Sequence, residues 1–130
     1  MRYFTYGTVF QGTFVRVENN LFEHGIYGCG PMGCGVVFVT EDAVLPVVTR
    51  NSIRYMQQWH GIVWLGSGFT GSYNHLHDIC TVRDDASSFQ TKFIGEKNSH
   101  IHHNWVYNSE INRGAFSVLA ELAKHEFSKG

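Results

Sequence analysis

Five of the eight histidines in this 130-residue chain stand in two short clusters. In one, His75 and His77 lie two residues apart; in the other, His100 and His102 have the same spacing and are followed by His103. Both segments have compositions that predict β-strand, and the side chains of a strand alternate between its two faces. Each pair is therefore predicted to share one face. Imidazoles in this arrangement can hold a metal ion, move a proton or bind an anion.

The four paired histidines form a metal site only if their two strands are neighbours. They would then supply imidazole ligands for zinc or iron, with an open position for a substrate. The residues predicted for this site are His75, His77, His100 and His102. An antiparallel meander would instead separate the two strands by about 10 Å, which is too far for one ion. The alternative interpretation is that the imidazoles bond one another, the backbone or an anionic ligand.

Composition limits the class of protein. The length and the 43% hydrophobic content predict a single globular domain over residues 1–130. Aromatic residues make up 15%, more than a small core needs, which favours a ligand pocket or a homo-oligomer interface. A net charge of −1 argues against a long nucleic acid as partner. The absence of a long apolar segment and of a disulfide spacing predicts a cytoplasmic protein without a membrane partner.

Short strands are predicted to make up most of the chain. The apolar segment Val36–Val39 predicts a strand covered on both faces, and Ile62–Leu65 a further short one. Three strands follow at 75–82, 89–94 and 100–107. Their connections are short enough for hairpins, which favours an antiparallel meander. No internal repeat is predicted.

Two helices complete the predicted fold. Thr49 or Asn51 is a suitable N-cap for a helix that continues to about Trp59. A longer helix is predicted from about Ser109 to the neighbourhood of His125, because apolar residues recur there at helical spacing. The predicted fold class is therefore α+β, with a mainly antiparallel sheet and two helices, the longer at the C-terminus.

Arginines near the predicted helix starts suggest a phosphate site. A helix N-terminus beside a guanidinium binds phosphate well, and Arg50 and Arg54 share one face of the first predicted helix. The predicted ligand-binding cations are Arg50, Arg54, Arg83 and Arg113. Trp105 is among the rings that could stack on a base. In the alternative interpretation the arginines pair with surface carboxylates and the rings form the core.

Three N-terminal motifs resemble the opening of ADP-ribosyltransferases. They are Tyr-Gly-Thr at 6–8, Leu-Phe-Glu-His-Gly-Ile at 21–26, and Gly-Val-Val-Phe-Val-Thr-Glu-Asp at 35–42. The resemblance implies a strand, a short helix and a second strand, with Tyr6 and Thr8 against an NAD-like ligand. Tyr6 replaces the nicotinamide-binding histidine of that family, and Val37 replaces a tyrosine. Neither Glu96 nor Glu110 is placed as its catalytic glutamate, so the resemblance implies binding of the nucleotide without turnover.

In size and composition the chain also resembles small accessory proteins of bacteriophages, some of which sequester nucleotide signals of host defence. No motif is shared, so no residue role is transferred. Together these observations predict a protein that binds a nucleotide-type or other phosphorylated small anion, as a homo-oligomer, without converting it. Two alternatives stay open: an enzyme, by ADP-ribosyl transfer or by metal-assisted hydrolysis at the histidines, and an inhibitor that binds another protein.

Overall fold

The computed structural model describes residues 1–2, 7–25, 35–57, 60–81, 87–92, 97–109 and 116–119. Within these ranges the backbone forms strands and no helix, and therefore no helix that could span a membrane. The strands are β1 Thr8–Phe10, β2 Arg16–Glu18, β3 Leu21–Gly25, β4 Gly35–Val39, β5 Val47–Thr49, β6 Ser52–Met56, β7 His60–Trp64, β8 Thr70–Ser72, β9 His75–His77, β10 Phe89–Lys92, β11 His100–His102, β12 Trp105–Tyr107 and β13 Phe116–Leu119.

All strand pairs are parallel, and they form three sheets. The first sheet has the order β1-β4-β7-β10-β13, the second β11-β8-β5-β2 and the third β12-β9-β6-β3. The chain visits the three sheets in turn, so that β1–β3, β4–β6, β7–β9 and β10–β12 are four successive rungs of a coil. This architecture is a parallel β-helix, in which each rung stacks on the previous one at strand spacing, about 4.8 Å.

Left-handed backbone conformations mark the corners of the coil. Three such residues recur five positions apart in every rung, which gives three columns of corner residues. The columns are Phe14, Leu45, Gly68 and Asn98; Asn19, Arg50, Tyr73 and His103; and His24, Tyr55, Asp78 and Asn108. A single left-handed residue turns the strand direction sharply without a loop, so two short strands follow each other with one corner residue and one further residue between them.

The core lies inside the three sheets. The third residue after each corner points inward, as Val48 and Ile53 do in the second rung. Gly71 occupies the same place in the third rung because the Phe69 ring fills the space. A Cβ added to Gly71 would lie 2.7 Å from that ring, and Phe69 itself stacks on Trp64 with ring centroids 4.6 Å apart.

A ladder of asparagines stabilises the corner between the second and third sheets. Its members are Asn20, Asn51, Asn74 and Asn104. In the last three, Nδ2 donates to a backbone carbonyl of the previous rung at 2.8–2.9 Å. Their Oδ1 atoms accept the backbone N–H of the preceding asparagine at 2.8–3.0 Å. Asn51 and Asn74 are fully buried, so the ladder satisfies backbone N–H and C=O groups at this corner that water does not reach.

The α+β prediction, with a mainly antiparallel sheet and two helices, is wrong. The segment from Asn51 toward Trp59, predicted as a helix, contains strand β6. Its inward residues Ile53 and Met56 are three apart because the corner residue Tyr55 interrupts the alternation. Part of the predicted C-terminal helix is strand β13, and residues 110–115 and 120–130 lie outside the described residues.

The strands themselves were predicted better than their pairing. Val36–Val39 falls in the buried parallel strand β4, and Ile62–Leu65 overlaps the last three residues of the buried parallel strand β7. The three strands predicted as an antiparallel meander are arranged differently. The first falls on β9 in the third sheet and the second on β10 in the first sheet, whereas the third divides into β11 in the second sheet and β12, which pairs with β9 in parallel. The absence of a repeat was also a wrong prediction, since the four rungs repeat one backbone pattern.

Candidate functional site

Aromatic and imidazole side chains line the outward face of the third sheet. Outward positions are the second and fourth residues after each corner, and stacking of the rungs turns them into rows. One row is Leu21, Ser52, His75 and Trp105; the next is Glu23, Arg54, His77 and Tyr107. The corner column beside them contributes His24, Tyr55 and Asp78. We call His24, Tyr55, His75, His77, Trp105 and Tyr107 the ring strip.

Five rings of the strip, those other than Trp105, form a series of contacts across the rungs. His24 stacks on Tyr55 with centroids 4.9 Å apart, and Tyr55 meets His77 edge to face at 5.3 Å. His77 then stacks on Tyr107 at 4.9 Å, with ring planes only 4° apart. His75 lies 5.2 Å from both His77 and Tyr107. Each ring thus limits the rotamers of the next, so the strip is a pre-organised surface.

The tyrosines and the tryptophan of the strip remain accessible. Tyr55 is 42% exposed, Tyr107 47% and Trp105 60%, whereas His77 is only 8% exposed. Large rings left this open on one sheet face are typical of a surface that another molecule covers. His77 therefore supports the neighbouring rings, and the tyrosines and Trp105 offer the contact area.

A buried carboxylate lies at one end of the strip. Glu23 is only 3% exposed and forms ion pairs with Arg2 and with Arg54, whose Nη2 lies 2.7 Å from Oε2. The hydrogen bond from Arg54 lowers the pKa of Glu23; burial opposes this, and Arg2 adds to the lowering. The Arg54 guanidinium also lies over the Tyr55 ring, 5.7 Å from its centroid, which is cation–π range.

His77 also binds a carboxylate. Its Nδ1 lies 2.5 Å from Oδ2 of Asp78, the next residue and a corner residue. In the neutral imidazole the Nδ1–H donates to this carboxylate, which leaves Nε2 as an acceptor. Because Tyr55 and Tyr107 pack against the same ring, its orientation is fixed on three sides.

The outward face of the second sheet is different. In its first two rungs, Arg50 pairs with Glu18 at 2.7 Å. The hydrogen bond from Arg16 lowers the pKa of Glu18; burial opposes this, and the charges of Arg16 and Arg50 add to the lowering. At the fourth rung, Nδ1 of His102 lies 2.8 Å from Nδ1 of His103.

The structure separates the two histidine pairs that were predicted as metal ligands. His75 and His77 do share one face of β9, but His100 and His102 lie on β11, in another sheet. The four imidazoles therefore do not converge. Within the described ranges, no three His, Cys, Asp or Glu side chains come together as ligands for one ion.

The predicted ligand-binding residues are also dispersed. Arg50 is a corner residue and Arg54 lies on β6, so they do not share a helical face, and each already pairs with a carboxylate. Thr8 lies on β1 in the first sheet, while Trp105 lies on the ring strip. Tyr6, Arg83 and Arg113 are outside the described residues.

Sequence reasoning missed Tyr55, Tyr107 and Glu23 as members of a surface. The available signal was the position of each relative to a ladder asparagine, because Glu23 and Tyr107 both stand three residues after one. Where the ADP-ribosyltransferase resemblance implies a short helix, the chain forms strand β3. No protein-family model, curated protein or solved structure matches this chain. Both family resemblances therefore stay predictions.

Proposed function

We propose that this protein binds a glycan chain along the ring strip and does not convert it. The observation that supports this proposal is the continuous series of ring contacts from His24 through Tyr55 and His77 to Tyr107, with exposed rings beside it. It extends over four rungs, about 14 Å. A surface of that length on an open sheet face suits a linear ligand better than a compact one, which binds in a concave pocket.

A sugar chain matches the chemistry of the strip. Pyranose rings have an apolar C–H face that packs on an aromatic ring, and hydroxyl groups at their edges. Trp105 and Tyr107 offer the ring surfaces in adjacent outward positions. His75 lies beside Trp105, and Arg54 lies two rungs from Tyr107 in the same row, about 10 Å away; both offer polar atoms that can orient hydroxyl groups. Ring stacking would supply most of the contact area, and the polar groups the selectivity.

The charges of the site argue against a polyanionic ligand. The guanidiniums of Arg50 and Arg54 already pair with Glu18 and Glu23. A ligand phosphate would have to compete with these carboxylates. The net charge of −1 provides no basic field to attract such a ligand.

The carboxylates favour binding over hydrolysis. Glycoside hydrolysis usually requires one carboxylic acid with a raised pKa that protonates the leaving group. The pKa of Glu23 is lowered instead, and both its oxygens are engaged by guanidiniums. Asp78 is engaged by His77. Neither group is prepared to act as that acid.

A small nucleotide-type anion is the second candidate ligand. It is favoured by the exposed Trp105 ring, which stands in register with His75 and could stack on a base while the imidazole contacts a phosphate. The NAD-like ligand predicted from the sequence belongs to this class. The homo-oligomer and the cytoplasmic location also stay predictions.

Affinity electrophoresis through gels that contain neutral polysaccharides tests the proposal, with anionic polysaccharides as the comparison that should retard the protein less. We expect at least one polysaccharide to retard the protein, and Trp105→Ala or Tyr107→Ala to weaken its binding about tenfold, or about 1.4 kcal/mol. Tyr73→Ala is the matched control, since Tyr73 is 45% exposed but is the corner residue that follows the second sheet. Equal loss in all three variants would contradict a site on the third sheet.

The second candidate is tested in parallel by thermal shift with NAD, ADP-ribose and cyclic nucleotides. If a nucleotide stabilises the protein and no polysaccharide retards it, the glycan proposal is wrong. Arg54→Ala then shows whether its guanidinium contacts the phosphate, because stabilisation by the nucleotide would be lost. Release of nicotinamide from NAD would indicate an enzyme instead.

A further inference from the structure

The corners of the coil bring consecutive side chains together. A residue at the end of a strand and the left-handed residue after it point their side chains into the same space, whereas consecutive residues within a strand point apart. Two corners show this with groups that bind metals. His77 and Asp78 place Nδ1 and Oδ2 2.5 Å apart, and His102 and His103 place their two Nδ1 atoms 2.8 Å apart.

We propose that His102 and His103 form a bidentate site for a divalent cation that prefers imidazole nitrogen in tetragonal geometry, with Cu²⁺ as its best occupant. Two cis ligands of a square-planar ion at about 2.0 Å each are about 2.8 Å apart. The two Nδ1 atoms already stand at that separation. A tetrahedral ion such as Zn²⁺ would need about 3.3 Å, so the observed spacing fits copper better. Water completes the coordination.

Neighbouring groups favour this pair over the other corner. Both imidazoles are exposed, and the Tyr73 ring orients them by stacking on His103 at 5.0 Å and meeting His102 edge to face at 5.9 Å. Arg50, which lies in the same corner column as His103, is two rungs away, about 10 Å, and pairs with Glu18. Its positive charge is therefore distant from the proposed cation and already balanced.

At the other corner, access is restricted. His77 is 8% exposed, and its ring is packed between Tyr55 and Tyr107. A cation would have to displace those rings to reach Nδ1. At the His102–His103 corner both imidazoles are exposed, so a cation reaches the two Nδ1 atoms without displacing another ring.

Copper titration of the purified protein, followed by electron paramagnetic resonance and isothermal calorimetry, tests the site. We expect one Cu²⁺ per chain with nitrogen hyperfine splitting, bound at least tenfold more tightly than Zn²⁺. His102→Ala and His103→Asn should each weaken Cu²⁺ binding at least tenfold. Asparagine is chosen at 103 because it tolerates the left-handed backbone, where φ is 53°.

His100→Ala is the matched control. His100 is exposed on the same strand but is not part of the close nitrogen pair, so its loss should leave Cu²⁺ affinity unchanged. Far-UV circular dichroism identifies any variant that does not fold. The proposal is overturned if no stoichiometric copper binds, if a folded His102→Ala or His103→Asn keeps full affinity, if His100→Ala loses as much, or if Zn²⁺ binds more tightly than Cu²⁺.

Discussion

Replacing Asn74 by alanine removes the most deeply buried member of the asparagine ladder. Its Nδ2 donates to the carbonyl of Val48 at 2.9 Å and to Oδ1 of Asn104 at 3.0 Å. Its Oδ1 accepts both the backbone N–H and Nδ2 of Asn51, each at 3.0 Å. The side chain is fully buried, so water cannot replace these bonds.

The expected cost follows from the groups left without partners. Asn51 keeps two other acceptors for Nδ2, but its backbone N–H loses the Oδ1 acceptor. The Val48 carbonyl loses one donor. An unsatisfied buried polar group costs about 1–3 kcal/mol, so we expect Asn74→Ala to lower the free energy of unfolding by about 2–4 kcal/mol. That is a large fraction of the stability of a small domain.

Asn20→Ala is the matched control, since Asn20 is the same residue type at the first position of the ladder and is exposed. Its Nδ2 bonds Glu18 and Asn51, and water can replace it there. We expect a loss below about 1 kcal/mol. Urea unfolding followed by circular dichroism measures both, and with a slope of about 2 kcal/mol per molar the midpoints fall by about 1–2 M and under 0.5 M respectively. Equal midpoints for the two variants would refute the ladder argument.

Three further substitutions test other features. The Arg54 hydrogen bond lowers the pKa of Glu23 below its usual 4.5, so the pair stabilises the fold above that pH and the contribution is lost as the pH falls below it. Arg54→Met should therefore flatten the fall of the melting temperature between about pH 6 and 3. An unchanged slope would contradict this. Gly61→Ala places a Cβ 2.7 Å from the Ser88 backbone oxygen and should cost about 1–3 kcal/mol in urea unfolding. Phe14 is 80% exposed at a φ of 58°, so Phe14→Asn should raise the urea midpoint by the equivalent of up to about 1 kcal/mol, whereas a lower midpoint would indicate a stabilising contact of the ring.

Local composition was enough to find several strands and not enough to pair them. Val36–Val39 is predicted as a strand because β-branched residues fit a pleated, buried surface. Its neighbours in the fold are β1 and β7, each separated from it by one rung of sequence. Short connections favour hairpins only when the chain reverses, and a left-handed corner instead sends it to the next sheet. Whether the chain reverses or continues to the next sheet depends on stacking between rungs, which a short window of sequence does not contain.

The helical prediction failed for a geometric reason. In the second rung the inward residues are Val48, Asn51, Ile53 and Met56. Their spacing alternates between three and two, because each corner residue adds one position to the strand alternation. Ile53 and Met56 alone therefore imitate the three-residue spacing of a helix face. The buried Asn51 in the same series distinguishes this coil from a helix, because the buried face of a helix would not hold an asparagine side chain without a hydrogen-bond partner.

The repeat was present in the sequence but not at a constant period. An apolar or glycine residue stands three positions before each ladder asparagine and an apolar residue two positions after it, as in Val48, Asn51 and Ile53. The asparagines are separated by 31, 23 and 30 residues. These intervals differ mainly because the connection from the third sheet to the first varies between 3 and 11 residues, while the short strands on either side of each asparagine keep their positions relative to it. A search at fixed spacing therefore misses them.

Once the asparagines set the register, the ring strip follows from the sequence. The residues one and three positions after each asparagine point outward, and those of consecutive rungs become neighbours in space. His75 and His77 are then adjacent to Trp105 and Tyr107, although thirty residues separate them in the chain. His100 and His102 precede the ladder asparagine Asn104 and therefore lie on the second sheet. The clustering of histidines along the chain suggested one site, but the two pairs lie on different sheets. The contacts of each pair are therefore made with the side chains of neighbouring rungs on its own sheet and not with the other pair.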